Sequence, residues 1–429
     1  MSSSLSEFYR SITIKRHPSF LNKLFAFSGP GYLIAVGYMD PGNWATDLSG
    51  GSQFGYTLLS VILISNLFAI LLQHLALKLG IASGRDLAQA CHDHFPKPVS
   101  FVLWIMAEIM IIACDLAEVI GSAIALNLLF GIPLQIGVLV TAFDVILLLI
   151  LLKRGFRYLE ILVILLIVTI IGCFGLEILF SQPAIIPLLQ GFVPSGQIIG
   201  NSEMLYIAVG ILGATVMPHN LYLHSSIVQT RKFRQTNAGK KEAIKFSTID
   251  STIALVLAFF VNASILIVAA STFYVSGNTH VSEIEEAYKL LSPLVGVGIA
   301  STLFALALLA SGQNSTITAT LAGQVIMEGF LNIRIAPWLR RMITRLLAIV
   351  PAVLVLNIYG GKGLGDLLIL SQVILSIQLS FAVFPLLLFT NNKKIMGKFA
   401  NTLWIKITAS AIAIIIAVLN IWLVKNVLF

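Results

Sequence analysis

From residue 27 to residue 425 the chain is a succession of apolar runs with short polar breaks between them. Eleven can be drawn, near 27–52, 56–78, 99–127, 134–152, 158–180, 204–230, 246–273, 293–321, 342–358, 365–390 and 402–425. A helix needs about 20 mostly apolar residues to cross bilayer hydrocarbon. The runs therefore predict an all-α polytopic membrane protein with about eleven transmembrane helices. Only 11% of the 429 residues are charged and 58% are hydrophobic, against about a quarter charged in a soluble domain. A water-soluble fold of this size is excluded, and so is disorder, which needs low hydrophobicity. Three cysteines, Cys91, Cys114 and Cys173, cannot form a disulfide scaffold. The amphipathic third run is the least obvious by hydropathy. Residues 1–24 read as a polar, basic cytoplasmic segment without a signal-peptide cleavage site. Residues 25–429 read as a single transmembrane domain.

The net charge of +8 is a topology signal and implies no nucleic-acid partner. With the N-terminus in the cytoplasm, all but Lys289, Lys362 and Lys425 of the 27 basic residues fall on the inner side. The long 181–203 connection carries none. This is the positive-inside pattern. It predicts a multi-pass protein of the plasma (cell inner) membrane, with an odd span count and an external C-terminus.

Two spans are interrupted in mid-membrane. Span one reads Gly37-Tyr38-Met39-Asp40-Pro41-Gly42-Asn43-Trp44, and span six reads Gly213-Ala214-Thr215-Val216-Met217-Pro218-His219-Asn220. Pro41 and Pro218 each remove a backbone donor and disfavour helix before them; Gly42 adds backbone freedom. A lone Pro in a span often gives only a kink. Asp-Pro-Gly-Asn does more, because it buries a carboxylate where ionisation is costly and frees carbonyls that need partners. A bound cation answers both demands. Paired interruptions in the two halves point to an inverted-repeat transporter with a midplane site. Spans one to five (about 25–180) and six to ten (about 204–390) read as the repeats, with span eleven (about 402–425) added. The symmetry comes from topology, since the halves share no evident sequence identity.

The candidate ligands are the Asp40 carboxylate, the Asn43 amide oxygen, the Met217 thioether and backbone carbonyls near Gly37 and Ala214, about one turn before each break. Sodium, magnesium and calcium prefer shells made only of oxygen. A thioether suits softer ions such as Mn²⁺, Fe²⁺, Co²⁺ and Cd²⁺, although Met is also common core filler. Ionisable groups are concentrated in span three, where Glu108, Asp115 and Glu118 fall near one helical face, and His219 follows Met217 by two residues. Such groups inside a membrane are relays or ion contacts by default; the alternative is a buried ion pair or a solvated helix end.

At Asp40-Pro41-Gly42-Asn43-Trp44-Ala45-Thr46-Asp47 and Met217-Pro218-His219-Asn220 the chain resembles the Nramp family of proton-coupled divalent metal transporters. The resemblance runs over about residues 25–425, and the length is like that of the family's bacterial manganese transporters. It implies a LeuT-like fold of two inverted five-helix repeats with unwound helices one and six. It implies metal binding by Asp40, Asn43 and Met217 with the carbonyls of Gly37 and Ala214; the Met distinguishes this branch from related magnesium carriers. Gln372 in span ten matches a further ligand of occluded states, with Gln378 nearby as a rival. Asn262 in span seven would act behind the ligands or through water. The resemblance also implies that Asp40 accepts a proton, that His219 helps at the entrance, and that Asp115 and Glu118 pass protons inward. Arg231, Arg340 and Arg341 would complete an inner charge network with those carboxylates. On residues alone, these arginines are positive-inside anchors.

The resulting expectation is a secondary active importer of Mn²⁺ and Fe²⁺ in symport with protons, with metal, protons and lipid as partners. No cofactor and no obligatory protein partner is expected. The chain contains no ATP-binding motif. An organic-solute carrier of the same fold, in which Asp40 binds an amine or Na⁺, and a metal-selective channel are the competing readings. An intramembrane metalloprotease is disfavoured because His219 and His224 lack HExxH spacing. His74, Asp144 and Glu177 read as gating, packing or interfacial groups, His92-Asp93-His94 as a solvated loop, and Gly360 to Gly365 as a flexible connector.

Overall fold

The structure, a computed structural model, describes residues 5–14, 19–143, 155–279, 281, 283–333, 336–359 and 363–428. The far part of the fourth span (144–152) lies outside the described residues, as do Asp144, Lys15, Arg16, Lys153, Arg154, Arg334, Gly360, Gly361 and Lys362.

Among the described residues, helix lies within every predicted span. Span one is two half-helices, Pro30–Gly37 and Pro41–Phe54. Span six is likewise divided, into Ser202–Thr215 and Pro218–Ile227. Spans two, three and five are Leu59–Ser83, Lys97–Phe130 and Phe156–Ser181. The fourth starts at Leu134 and is described to Phe143. Spans seven and eight are Asn237–Ala269, which runs on into a wide turn at Ala270–Tyr274, and Ala300–Leu331. The last three are Pro337–Tyr359, Leu364–Asn391 and Leu403–Leu428.

Among the described residues, eight helices are long and apolar enough to cross a membrane, counting span six as one. The other three fall short for separate reasons. Span one is broken, span four is described only in part, and span eight is diluted by Ser311, Asn314, Ser315, Thr316 and Thr318 along its buried side. Span eight, not the amphipathic third (mean hydropathy 2.1 over its apolar window), is thus the least apolar of the long helices. It also lies seven to ten residues later than predicted. The residues before it form a separate helix, Ile284–Val295, ended by Gly296 at φ 76, a left-handed conformation that suits Gly.

The packing repeats with an offset of five. Span one packs on seven and five, while span six packs on two and ten; span three packs on ten, and eight on five. Exchanging each span with the one five later maps these contacts onto each other. Span eleven lies outside this scheme. It is held to span ten by Asn420, which donates to the Ser376 carbonyl at 2.7 Å and accepts from the Ser376 hydroxyl at 2.9 Å. Leu165, Val168, Leu179, Ile414, Val418 and Ile421 point outwards and are exposed, whereas Asp40, Asp115, Glu118 and Gln372 are buried. A bundle with apolar skin and polar centre is a multi-pass membrane protein.

One face is basic. There the N-terminal segment is docked rather than free, since Ile12–Thr13 pairs in parallel with Arg231–Lys232 and the Tyr9 hydroxyl meets that of Ser226 at 2.6 Å. The 181–203 connection contains two short helices, Ile185–Gly191 and Gln197–Gly200.

Candidate metal centre

Both interruptions have the same construction. Asp40 and Met217 are the N-caps of the second half-helices, and Pro41 and Pro218 occupy the first helical positions. An α-helical carbonyl accepts from the N–H four residues later. For Gly37 and Ala214 that residue is Pro41 and Pro218, which have no N–H. The two carbonyls predicted as ligands are therefore those whose regular donors are missing; Gly37 O keeps only a long contact of 3.4 Å from Asp40 N. The neighbouring unwound carbonyls are occupied by side chains. Tyr38 O accepts from Asn262 Nδ2 at 2.8 Å, and Met39 O accepts from Trp44 Nε1 at 3.3 Å and from the Ser311 hydroxyl.

The Asp40 carboxylate is half used. Its Oδ1 accepts from Asn43 N and Asn43 Nδ2, both at 2.8 Å, while Oδ2 is buried without a partner among the described residues. Asn43 Oδ1 accepts from Asn262 at 3.3 Å and retains a second lone pair. Met217 is buried. The two breaks adjoin. Asn220, two residues past Pro218, donates to Ile34 O at 3.2 Å, and its amide fills the space a Cβ would need at Gly37. Gln372 lies between them. Its side-chain amide occupies the space beside Gly42 and its backbone carbonyl the space beside Gly213, so a side chain at Gly42 would displace the amide and one at Gly213 would push span ten away. Gln372 Nε2 donates to Ser371 Oγ at 3.0 Å, and Oε1 has no partner among the described residues. The Gln372 amide is thus set against the first break and its backbone against the span-six helix. Burying such groups unpaired is costly, and a cation would satisfy Asp40 Oδ2, Gln372 Oε1 and the two freed carbonyls together. No group of three or more His, Cys, Asp or Glu able to hold a metal is found among the described residues.

The ionisable residues of span three form a ladder leading away from this site. Gly121 packs on the Pro41 ring. Glu118 is one turn below it, Asp115 about 9 Å and Glu108 about 20 Å along the helix at 1.5 Å per residue. Span nine runs alongside and supplies the counter-charges. Arg341 pairs with Asp115 and, at 2.8 Å, with Glu118. Arg340 pairs with Glu108 at 2.8 Å. Arg345 reaches Glu118 Oε2 at 3.4 Å and Asp115 O at 3.2 Å, and Thr316 donates to Glu118 at 3.2 Å. His219 is buried, and neither ring nitrogen has a partner among the described residues.

Arg231 is placed elsewhere. It pairs with Glu160 at 2.8 Å and donates to Ser28 O at 2.6 Å, where Arg157 also donates at 2.6 Å. Asp250 accepts from Gly31 N at 2.7 Å and Gly29 N at 3.3 Å. Three side chains, making four hydrogen bonds, thus hold the start of span one against the basic face. A second clasp links Tyr38 OH to Gln73 at 2.8 Å and Gln73 to His224 at 2.9 Å. Sequence reasoning did not single out Arg345, Glu160, Asp250, Gln73 or Ser311. The available signals were Arg345 one turn after Arg341 and carboxylates inside apolar runs at 160 and 250.

Paired broken helices meeting at a buried polar centre, in a bundle that repeats with an offset of five, define the LeuT-like class of membrane-transporter folds. A nucleobase-cation-symport-1 family transporter shares this fold, with a TM-score of 0.60 at 14% identity over 93% of each chain. Residues 31–426 match the family described as "Natural resistance-associated macrophage protein-like", and the chain belongs to this Nramp family. It is 64% identical over 420 residues to a divalent metal cation transporter MntH of Listeria monocytogenes, covering 98% of this chain and 94% of that one. A namesake from a Nostoc species is 61% identical, with 99% and 96% covered. A crystal structure of a mutant Eremococcus coleocola manganese transporter superposes with a TM-score of 0.91 at 44% identity, covering 99% and 91%.

Proposed function

We propose that this protein imports divalent transition-metal ions, Mn²⁺ foremost and Fe²⁺ as well, across the plasma membrane by alternating access, in symport with protons. The observation that carries the reading is the pair of adjoining breaks, which leave a half-satisfied carboxylate and two donor-deprived carbonyls buried, with Met217 as the buried N-cap of the second break. The relatives' names, divalent metal cation transporter and manganese transporter, agree with it.

In this reading the basic face is cytoplasmic, the C-terminus is external, spans one to five and six to ten are inverted halves of one domain, and the two unwound spans rearrange to open the site to the cytoplasm. Metal enters from outside and binds Asp40, Asn43, Met217 and the carbonyls of Gly37 and Ala214, with Gln372 closing over it. Asn262 orients Asn43 and holds the unwound strand at Tyr38. Asp40 releases a proton as the metal arrives. His219 assists at the entrance. Glu118 and Asp115, beside Arg341, carry protons towards Glu108 and Arg340. Release to the cytoplasm requires the first turn of span one to leave Arg231, Arg157 and Asp250. A membrane potential of 100 mV favours inward movement by about 2.3 kcal/mol per charge.

Calorimetry on Met217→Ala tests the ligand set. Loss of one soft ligand is expected to weaken Mn²⁺ binding about tenfold, roughly 1.4 kcal/mol, while Ca²⁺ becomes a better competitor. Unchanged Mn²⁺ affinity together with unchanged rejection of Ca²⁺ would show that the thioether is core filler. Asp115→Asn and Glu118→Gln are expected to depress proton flux in vesicles more than Mn²⁺ binding; wild-type proton flux in both variants would remove the ladder from the route.

A further inference from the structure

We propose that Glu283 is a positioning residue for transport, acting through Gln372. Glu283 lies in the connection between spans seven and eight, immediately before the helix Ile284–Val295. It makes no cap hydrogen bond to that helix. Its two carboxylate oxygens accept instead from Gly363 N at 2.7 Å and Gly365 N at 2.9 Å, at the start of span ten. Gly363 has φ 90, a conformation open to Gly at little cost, which turns both N–H groups towards one carboxylate. A negative charge at a helix N-terminus is favourable, so the described end of the Gly-rich connector is pinned rather than loose. The same connection is tied to span one, because Ser52 in the Pro41–Phe54 half-helix donates to Val281 O at 3.0 Å.

One short stretch thereby holds both the half-helix that begins at Asp40 and Asn43 and the helix that carries Gln372. Gln372 is seven residues past Gly365, two turns or about 10 Å along the same helix face. Fixing the first turn of span ten sets where the Gln372 amide arrives against Gly42 and where the Gln372 backbone lies against Gly213. Without Glu283 that end loses a charge-assisted pair of bonds, and the closing position of Gln372 becomes less populated. This inference rests on the reading of Gln372 as a metal ligand.

The test is the concentration dependence of Mn²⁺ uptake in proteoliposomes for Glu283→Ala, Glu283→Gln, Gln372→Ala and the Glu283→Ala/Gln372→Ala pair. Glu283→Ala is expected to raise KM about tenfold with the maximal rate within about twofold. Glu283→Gln should fall between it and wild type, because the amide oxygen still accepts one N–H, and it serves if the Ala variant folds poorly. On the Gln372→Ala background, Glu283→Ala should change KM by less than about twofold, the non-additivity of residues that act together. If Gln372→Ala raises KM but neither Glu283 variant does, or if the effects add in full, the positioning role is wrong and the ligand reading stands. If Gln372→Ala leaves KM at the wild-type value, the ligand reading fails and takes this inference with it.

Discussion

Asp40→Asn is expected to lower Mn²⁺ uptake by about 100-fold or more while leaving the protein as stable as wild type, or more so. The two halves of that result come from the two oxygens of one side chain. Oδ1 caps a half-helix by accepting from Asn43 N and Nδ2. Asn is as good an N-cap as Asp, and its amide oxygen can accept both bonds. Oδ2 has no protein partner among the described residues, so replacing it removes no internal bond and relieves the cost of a buried charge. What is lost is the only acidic group at the two breaks. An ionic contact to a dication inside low-dielectric surroundings is worth well above the roughly 2.7 kcal/mol that corresponds to about 100-fold. Uptake assays beside thermal unfolding in detergent separate these effects. A variant that unfolds early would make Asp40 a structural residue; one that transports normally would remove it from the metal site.

The second large effect is expected at Arg341, which is buried against two carboxylates, Asp115 and Glu118. Removing one partner of a buried ionic group leaves uncompensated charge and typically costs about 3–5 kcal/mol. Arg341→Met should therefore lower the unfolding temperature sharply, with Arg345 alone left near Glu118 at 3.4 Å. Adding Asp115→Asn and Glu118→Gln removes the stranded charges. The triple variant should regain most of the lost stability and should not regain proton flux. Arg341→Met as stable as wild type would mean that the carboxylates are neutral in the folded protein and that the ladder is not ionic.

The parts of the fold that follow from local chemistry were legible in the sequence. Pro41 and Pro218 determine their own neighbourhoods, because a missing N–H and a fixed φ act within a turn. The breaks and the freed carbonyls of Gly37 and Ala214 could thus be read directly. Long-range pairing could not. Arg340, Arg341 and Arg345 look like loop anchors beside an apolar run, yet they begin a helix and turn inward because carboxylates more than 200 residues earlier await them. Arg231 carries the same local signature and finds Glu160 instead, so the inner charges form two clusters rather than one. Hydropathy also misplaced span eight. Its buried side is rich in hydroxyls and amides that satisfy neighbouring spans, as Ser311 does for Met39 O, and these lower its apolar score although it is buried.

Uptake of Mn²⁺ into proteoliposomes, read together with internal acidification at two external pH values and with competing Mg²⁺, Ca²⁺ and Fe²⁺, tests the proposed transport most directly. The paired-break centre and the span-three ladder predict saturable Mn²⁺ uptake that quickens as the external pH falls. They predict acidification of the interior in step with it, inhibition by Fe²⁺, and little effect of Ca²⁺ or Mg²⁺ in large excess. Uptake that does not saturate, uptake without proton entry, or equal competition by Ca²⁺ would contradict them.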